Sequence, residues 1–357
     1  MNILCVGDAM IPPDSFGLAC GEILKDYAPE VKLTVWLRTT DKTYLQNERI
    51  KVEKGGPSAV PVPENVRELI ADRELLLVDY CPVSGQLMDA APKLKLIGIT
   101  RGGVENIDVA GATKRGIPVV KISGRNAQAV SDFAIGLMLA EMRNIARSHA
   151  GLLAGKWRKE FVNVAWLLQT TGKTVGLVGL GKVGALVARK LSGFEMKIQA
   201  YDPYVSPDQV RGLNVDLVDL DHLMATSDIV SIHARLTSAS RGLIGAKQIA
   251  LMKPTAILVN TARAGLIDEQ ALLAALQNKT IGGAALDVFS VEPLPADYPF
   301  LKLDNVTLTS HLAGTTVDAL RRSPYLLCEE IRQFLGTGHS SEVVNPAVLT
   351  RETHGGM

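Results

Sequence analysis

The residues of this chain best spaced for chemistry lie in its middle, where Thr174 to Asp202 reads TVGLVGLGKVGALVARKLSGFEMKIQAYD. An apolar run, glycines at 179, 181 and 184, a helical stretch, a second apolar run and an acid follow one another as in a dinucleotide-binding βαβ unit. Gly179 allows a tight turn, Gly181 lets the backbone approach a pyrophosphate, and Gly184 lets the helix pack on the strand. The amides that open the helix, at Lys182 and Val183, would then face the phosphates. Asp202 stands 18 residues past Gly184 (202 − 184). A carboxylate there can accept both hydroxyls of an adenine ribose and would repel a 2′-phosphate, which favours NAD over NADP. Farther on, His233, Arg263, Asp287 and His311 each stand at or near the end of an apolar run. In an open parallel sheet ligands bind outside the carboxyl ends of the strands, so these four polar groups fall near the side where a nicotinamide would lie.

The elements that must position them can be read from the same pattern. After Asp202 strands are expected at Asp228–Ile232, Ala256–Asn260, Ala284–Val288, with Asp287 inside it, and Val306–Thr309. Before the glycine motif, Asn2–Val6, Val31–Leu37, Leu75–Val78 and Leu94–Thr100 read as strands, and Phe16–Lys25 and Val66–Ala71 as helices. None of these strands ends in the glycine spacing, so the front region is a second α/β unit that does not bind the dinucleotide by the same device. The polar stretch Arg38–Pro63, with Gly55-Gly56-Pro57, reads as loop or a short hairpin. Gly124–Arg147 has helical spacing, and its apolar face fits a core or a subunit interface equally well.

Composition excludes several classes. With 357 residues, 47% hydrophobic, the chain can bury a large core and divides most naturally into two domains. A formal charge of +1 gives no electrostatic reason to expect nucleic acid or an anionic membrane as a partner. The start, MNILCVGDAMIPPD, lacks a basic n-region and reaches Pro-Pro before an apolar segment is complete, and no apolar run approaches the roughly 18 residues that span a bilayer. Cys5, Cys20, Cys81 and Cys328 are scattered without a CxxC and read as reduced, buried thiols, which points to the cytoplasm.

The segments GKTVGLVGLGKVG, YDP, VNTARAGLID, AALDVFSVEPLP and TSHLAG, in this order, resemble the D-isomer-specific 2-hydroxyacid dehydrogenases. The likeness runs from about Leu94 to Asn345, and the front region fits in pattern more than in motif. It implies two doubly wound parallel-sheet α/β domains, a Rossmann NAD domain at 123–312 inserted into a flavodoxin-like substrate domain made of 1–122 and 313–350. Active sites of the family lie in the cleft between the two, and its members are usually homodimers joined through the cofactor domain.

The resemblance also assigns residues. Arg263 in NTARAG matches the substrate-binding arginine, Glu292 in VEP its acidic partner and His311 in SHLAG the acid/base, with intervals of 29 (292 − 263) and 19 (311 − 292). Reduction of a 2-keto acid leaves charge on the carbonyl oxygen, which a protonated His311 neutralises by giving up its proton. Glu292 on the other ring nitrogen would fix the tautomer and favour the imidazolium, and Arg263 offers a planar fork for a carboxylate. Thr261, Ala262 and Gly314 would line the cofactor, and Asp287 would accept from the nicotinamide carboxamide. In His233-Ala234-Arg235-Leu236-Thr237 the family often has proline where this chain has Arg235, which puts a direct cofactor contact of His233 and Arg235 in doubt. Arg101, Gly102, Gly103 and Val104 resemble the glycine-containing loop whose amides hold the substrate carboxylate; Arg101 would contact an anionic substrate tail or sit solvated at the loop edge. Tyr80 and Asp8 to Met10 are weaker pocket candidates, and His149, His222, His339 and His354 read as surface or satisfied core histidines.

The reaction expected is hydride transfer between NAD(H) and a D-2-hydroxy acid or 2-keto acid with a polar or anionic tail; phosphoglycerate, glyoxylate or hydroxypyruvate, and longer sugar acids all remain open. A non-catalytic NAD-sensing corepressor and a phosphite-type dehydrogenase are the alternatives. Formate dehydrogenases of the family carry glutamine where this chain has Glu292. The chain runs 22 residues past Leu335 (357 − 335), the end of the last expected helix, so no separate regulatory domain is expected there.

Overall fold

Five apolar runs in the front of the chain form one parallel sheet: β1 (Asn2–Gly7), β2 (Glu30–Val35), β3 (Leu75–Val78), β4 (Leu96–Ile99) and β5 (Val119–Lys121). Their order is β2-β1-β3-β4-β5, the flavodoxin-like winding, with β3 and β4 buried at every position. In this computed structural model, which describes residues 1–349, the chain divides into two units, Met1–Arg125 with the chain from Thr316 onward, and Asn126–Thr315. The first unit takes its last helix, Val317–Thr337, from the far end of the sequence, and Leu327, Cys328 and Ile331 of that helix are buried with Ile3, Cys5, Phe16 and Cys20.

The second unit is built on β6 (Thr174–Val178), β7 (Lys197–Tyr201), β8 (Asp216–Leu217), β9 (Ile229–Ile232), β10 (Ile257–Asn260), β11 (Gly283–Leu286) and β12 (Val306–Leu308). All are parallel, in the order β12-β11-β10-β9-β6-β7-β8. Counted within the unit this is the doubly wound order of a dinucleotide-binding fold, and the winding reverses between β6 and β9, where such sheets open a crevice. Apolar clusters cover both faces of the sheet, one around Leu258, Leu272 and Phe300, the other around Leu177, Val187 and Met138.

Two expectations need correction. The stretch Arg38–Pro63 is not a loop or hairpin but contains a helix, Lys42–Gly55, capped by Asp41, whose carboxylate accepts from the amides of Thr43 and Tyr44. Its buried face is Leu45, Glu48, Arg49 and Val52, at helical spacing but half charged, so no hydrophobic period marks it. Arg49 Nη2 reaches Asp8 Oδ2 at 2.6 Å and Asp79 Oδ2 at 3.0 Å, joining the ends of β1 and β3. Gly124–Arg147 is two helices, Ala127–Met142 and Ile145–Leu153, broken at Asn144, which is left-handed (φ 56°) and donates to Asn163 Oδ1 at 2.7 Å. The second helix buries none of its residues, and Ile145, Leu152, Leu153, Trp157, Val164 and Leu167 are exposed on it and on the segment after it. The four cysteines are buried free thiols, as expected, and Cys5, Cys20 and Cys328, though far apart in sequence, meet with Sγ···Sγ distances of 3.9 and 3.8 Å.

Arg49 shares its charge with two aspartates whose side chains are almost wholly buried. Replacing it by methionine leaves those carboxylates uncompensated and is expected to cost about 3–5 kcal/mol. Chemical unfolding followed by circular dichroism measures this; a loss under about 1 kcal/mol would show that the two aspartates do not need the arginine.

Candidate functional site

The junction of β6 with the helix Lys182–Leu191 has the shape its glycines require. Gly179 has φ +96°, and a Cβ there would lie 2.6 Å from the Ala234 amide nitrogen. A Cβ on Gly184 would lie 2.2 Å from the Gly179 carbonyl oxygen, whereas one on Gly181 meets nothing within 4 Å. Two of the glycines therefore close the strand–helix contact and the third leaves the backbone open on its outer side. No side chain caps this helix, so its first amides have their positive end to offer an anion. Asp202 accepts from the Leu180 amide at 2.8 Å through Oδ2 and from the Tyr204 amide at 3.0 Å through Oδ1, which fixes the carboxylate beside the glycine turn with lone pairs to spare.

Across the winding reversal, at the ends of β9 and β10, two buried polar atoms have no protein partner: His233 Nδ1 and Thr261 Oγ1. His233 Nε2 lies 3.0 Å from Ser231 Oγ, and desolvation pushes its pKa down to about 4, so the ring is neutral. Orphaned polar atoms of this kind ask for a ligand. Together with the open face at Gly181 they fit a dinucleotide. Ala262 donates to Asn260 Oδ1 at 2.9 Å, Gly314 leaves room for Asn126, and Arg235 is exposed, its carbonyl accepting from Ser240 Oγ at 2.6 Å.

At the ends of β11 and β12 a carboxylate and a histidine are paired. His311 Nδ1 lies 2.8 Å from Glu292 Oε2, and Glu292 Oε1 accepts from the Phe289 amide at 2.9 Å. Burial alone would raise the Glu292 carboxyl; the hydrogen bonds from His311 and Phe289 and the charges of His311 and Arg263 outweigh it and hold it below the usual carboxylate range. Arg263 is exposed just past β10, and its Nη1 donates to the Ala262 carbonyl at 2.7 Å, leaving the rest of the fork outward.

Asp287 lies one residue beyond β11 instead of within it. It is fully buried and accepts from Thr309 Oγ1 at 2.6 Å and from the amides of Leu312 and Ala313 at 2.9 Å each. Those donors flank His311, so Asp287 shapes the turn that carries the histidine.

In the first unit Arg101 is not solvated at the loop edge. Its guanidinium stacks on Tyr80 (3.8 Å to the ring centre) and pairs with Glu53 at 3.0 Å and Glu105 at 3.1 Å. Arg49 lies 4.3 Å from the Tyr80 ring centre, and the Tyr80 hydroxyl donates to Glu53 at 2.5 Å. A Cβ on Gly103 would lie 2.4 Å from Glu105 Oε2, so that glycine makes room for the ion pair. Tyr80, a weaker candidate from the sequence, thus belongs to this loop's setting together with Glu53, which sequence reasoning missed because the helix bearing it was itself missed. Asp8 is buried on Arg49; His149, His222 and His339 are exposed, and His354 lies outside the described residues.

Residues 135–313 match the D-isomer specific 2-hydroxyacid dehydrogenase NAD binding domain. A glyoxylate reductase of Thermofilum pendens is 40% identical over 293 residues, covering 81% of this chain and 86% of that protein. The chain belongs to this family. The second unit contains the NAD-binding domain of a D-2-hydroxyacid dehydrogenase. A D-3-phosphoglycerate dehydrogenase of Archaeoglobus fulgidus is 39% identical over 81% of this chain, and the chain spans about half of that relative's length (54%). The NAD complex of a D-isomer specific 2-hydroxyacid dehydrogenase from Lactobacillus delbrueckii ssp. bulgaricus has the same fold, with TM-score 0.73 at 22% identity over 97% of this chain and 100% of that one. Among the described residues no helix is long and apolar enough to cross a membrane, and no cluster of ligating side chains could hold a metal ion.

The glycine geometry sets a test of cofactor binding. Gly184→Ala drives a methyl into the Gly179 carbonyl and should weaken NADH binding at least tenfold, measured by nicotinamide fluorescence; unchanged affinity would mean that the junction relaxes without cost.

Proposed function

We propose that this chain is an NAD-dependent D-2-hydroxyacid dehydrogenase in which His311 is the general acid/base, Glu292 orients it, and Arg263 binds the substrate carboxylate and polarises the carbonyl. The observation that carries the reading is the 2.8 Å pairing of His311 Nδ1 with Glu292 in a unit whose glycine junction fits a dinucleotide. With Nδ1 engaged by the carboxylate, Nε2 is the atom that gives or takes the proton at the substrate oxygen. Bound NAD(H) supplies the hydride acceptor or donor. The amides of Lys182, Val183 and Gly184 would hold its pyrophosphate, Asp202 its adenine ribose, and His233 and Thr261 its nicotinamide half. Arg263 keeps the planar donors that a carboxylate accepts in pairs. In the first unit the Gly102, Gly103 and Val104 segment is the candidate substrate loop, with Arg101 holding it through Glu53 and Glu105. The substrate is then a small 2-hydroxy or 2-keto acid.

His311→Ala should lower turnover of a responsive 2-keto acid about 10²- to 10⁴-fold while NADH still binds. Oxidation of NADH with a panel of 2-keto acids is the assay, and it also decides against a purely NAD-sensing protein. Near-normal turnover in the variant would overturn the assignment. Reduction draws its proton from His311, and oxidation returns one to it. Because the Glu292 carboxyl is held low, its bond to His311 is present above that depressed value and lost only as pH falls through it, below the ordinary carboxylate range.

We further propose a homodimer joined through the second unit, supported by the exposed apolar side chains of Ile145–Leu153 and the following segment, with Trp157 80% and Leu153 78% exposed. Leu152→Asp with Leu153→Asp should halve the mass seen by light scattering; a wild-type protein that runs as a monomer would remove the proposal.

A further inference from the structure

The loop that carries Glu292 has little to hold it. Between Ser290 and Asp297 every residue is exposed except Leu294, which is half-buried against the core around Phe300, so apolar burial holds the loop at one point only. Yet the pairing with His311 depends on that position to within a few tenths of an ångström. The anchor is one residue, Glu269. Its Oε1 accepts from Ser290 Oγ at 3.0 Å and Tyr298 Oη at 2.5 Å, and its Oε2 accepts from the Ser290 amide at 3.3 Å. Ser290 lies two residues before Glu292 and Tyr298 six after it, so a single carboxylate ties the loop at both sides.

The anchor is itself rigid. Glu269 is the first residue of the helix Glu269–Gln277, whose start Asp268 caps through the amides of Gln270 and Ala271. Tyr298 is wedged between Phe289 (edge-on, 6.0 Å) and Phe300 (stacked, 5.7 Å). Burial and the neighbouring Glu269 carboxylate push the Tyr298 hydroxyl up to about 12, so it remains a donor at working pH.

We infer that Glu269 is a positioning residue for the acid/base pair, acting through Ser290 and Tyr298 on Glu292 and through Glu292 on His311. The inference rests on the assignment of His311 and Glu292 proposed above. Removing the anchor frees the loop, weakens the Glu292–His311 bond, and leaves the glycine junction untouched.

The experiment compares Glu269→Gln and Tyr298→Phe with wild type, Glu292→Gln and His311→Ala, reading steady-state reduction of a 2-keto acid across pH, NADH affinity by fluorescence, and the His311 ring tautomer by nitrogen NMR. Expected are a fall in kcat of about 10- to 100-fold in Glu269→Gln, a smaller fall in Tyr298→Phe, a high-pH limb of the reduction profile moved to lower pH, and loss of the fixed Nδ1–H signature, with NADH affinity unchanged. Tyr298→Phe keeps the ring packing and removes one donor, so it reports on the anchor even if Glu269→Gln folds poorly. If His311→Ala is inactive while both anchor variants keep the wild-type profile and tautomer, the inference is overturned and the acid/base assignment stands. If His311→Ala turns over normally, the assignment fails and the inference with it.

Discussion

A carboxylate sealed from water must find its donors inside the protein, and Asp287 finds three of them in the few residues that follow β12. That requirement bends the chain back at His311, whose φ of 54° is left-handed and costs an ordinary residue about 1–2 kcal/mol. Hydrogen bonds to a charged acceptor, about 1.5–3 kcal/mol each, outweigh the strain. The histidine is therefore held by its own backbone before Glu292 touches its ring. Backbone and ring are fixed by two different carboxylates, one buried at the end of β11 and one on an exposed loop, and the first makes the second's aim possible.

The two units use related means at corresponding places. In the first, Asp8, Asp79 and Thr100 stand just past β1, β3 and β4 and are knit together by Arg49 and by Arg125, which reaches Asp79 Oδ1 at 3.0 Å. In the second, Asn260 ends β10 and donates to the Arg263 carbonyl, while Asp287 and Thr309, just past β11 and β12, are bonded to each other. Strand ends in a parallel sheet expose backbone groups that side chains and ligands compete to satisfy. Residues that fold the strand ends and residues that do chemistry are consequently neighbours in sequence, and Asp287 supports the turn that carries His311.

Much of this was legible from the chain alone because parallel strands buried on both faces write themselves as short apolar runs, and because Gly179, Gly181, Gly184 and Asp202 each answer a separate steric or electrostatic demand. The dinucleotide-binding βαβ unit followed from those, and the two-domain fold and the family from the longer motifs around Arg263, Glu292 and His311. The Lys42–Gly55 helix escaped because its inward face is half charged: Arg49 and Glu48 are buried with partners from outside the helix, and periodicity counts only apolar residues. Asp287 and Arg101 were found as residues but not in their settings, since both are satisfied by groups distant in sequence. Glu269 gave no signal at all, because an acid in the first turn of a helix is ordinary.

The borrowing of Val317–Thr337 by the first unit has a consequence in time. Asn126–Thr315 is one unbroken stretch and can fold as soon as it leaves the ribosome, whereas the first unit, though made earlier, waits with Ile3, Cys5 and Phe16 uncovered until Leu327, Cys328 and Ile331 arrive. Synthesis and completion run in opposite orders. The second unit needs nothing from beyond Thr315, whereas the first cannot close until Val317–Thr337 has been made.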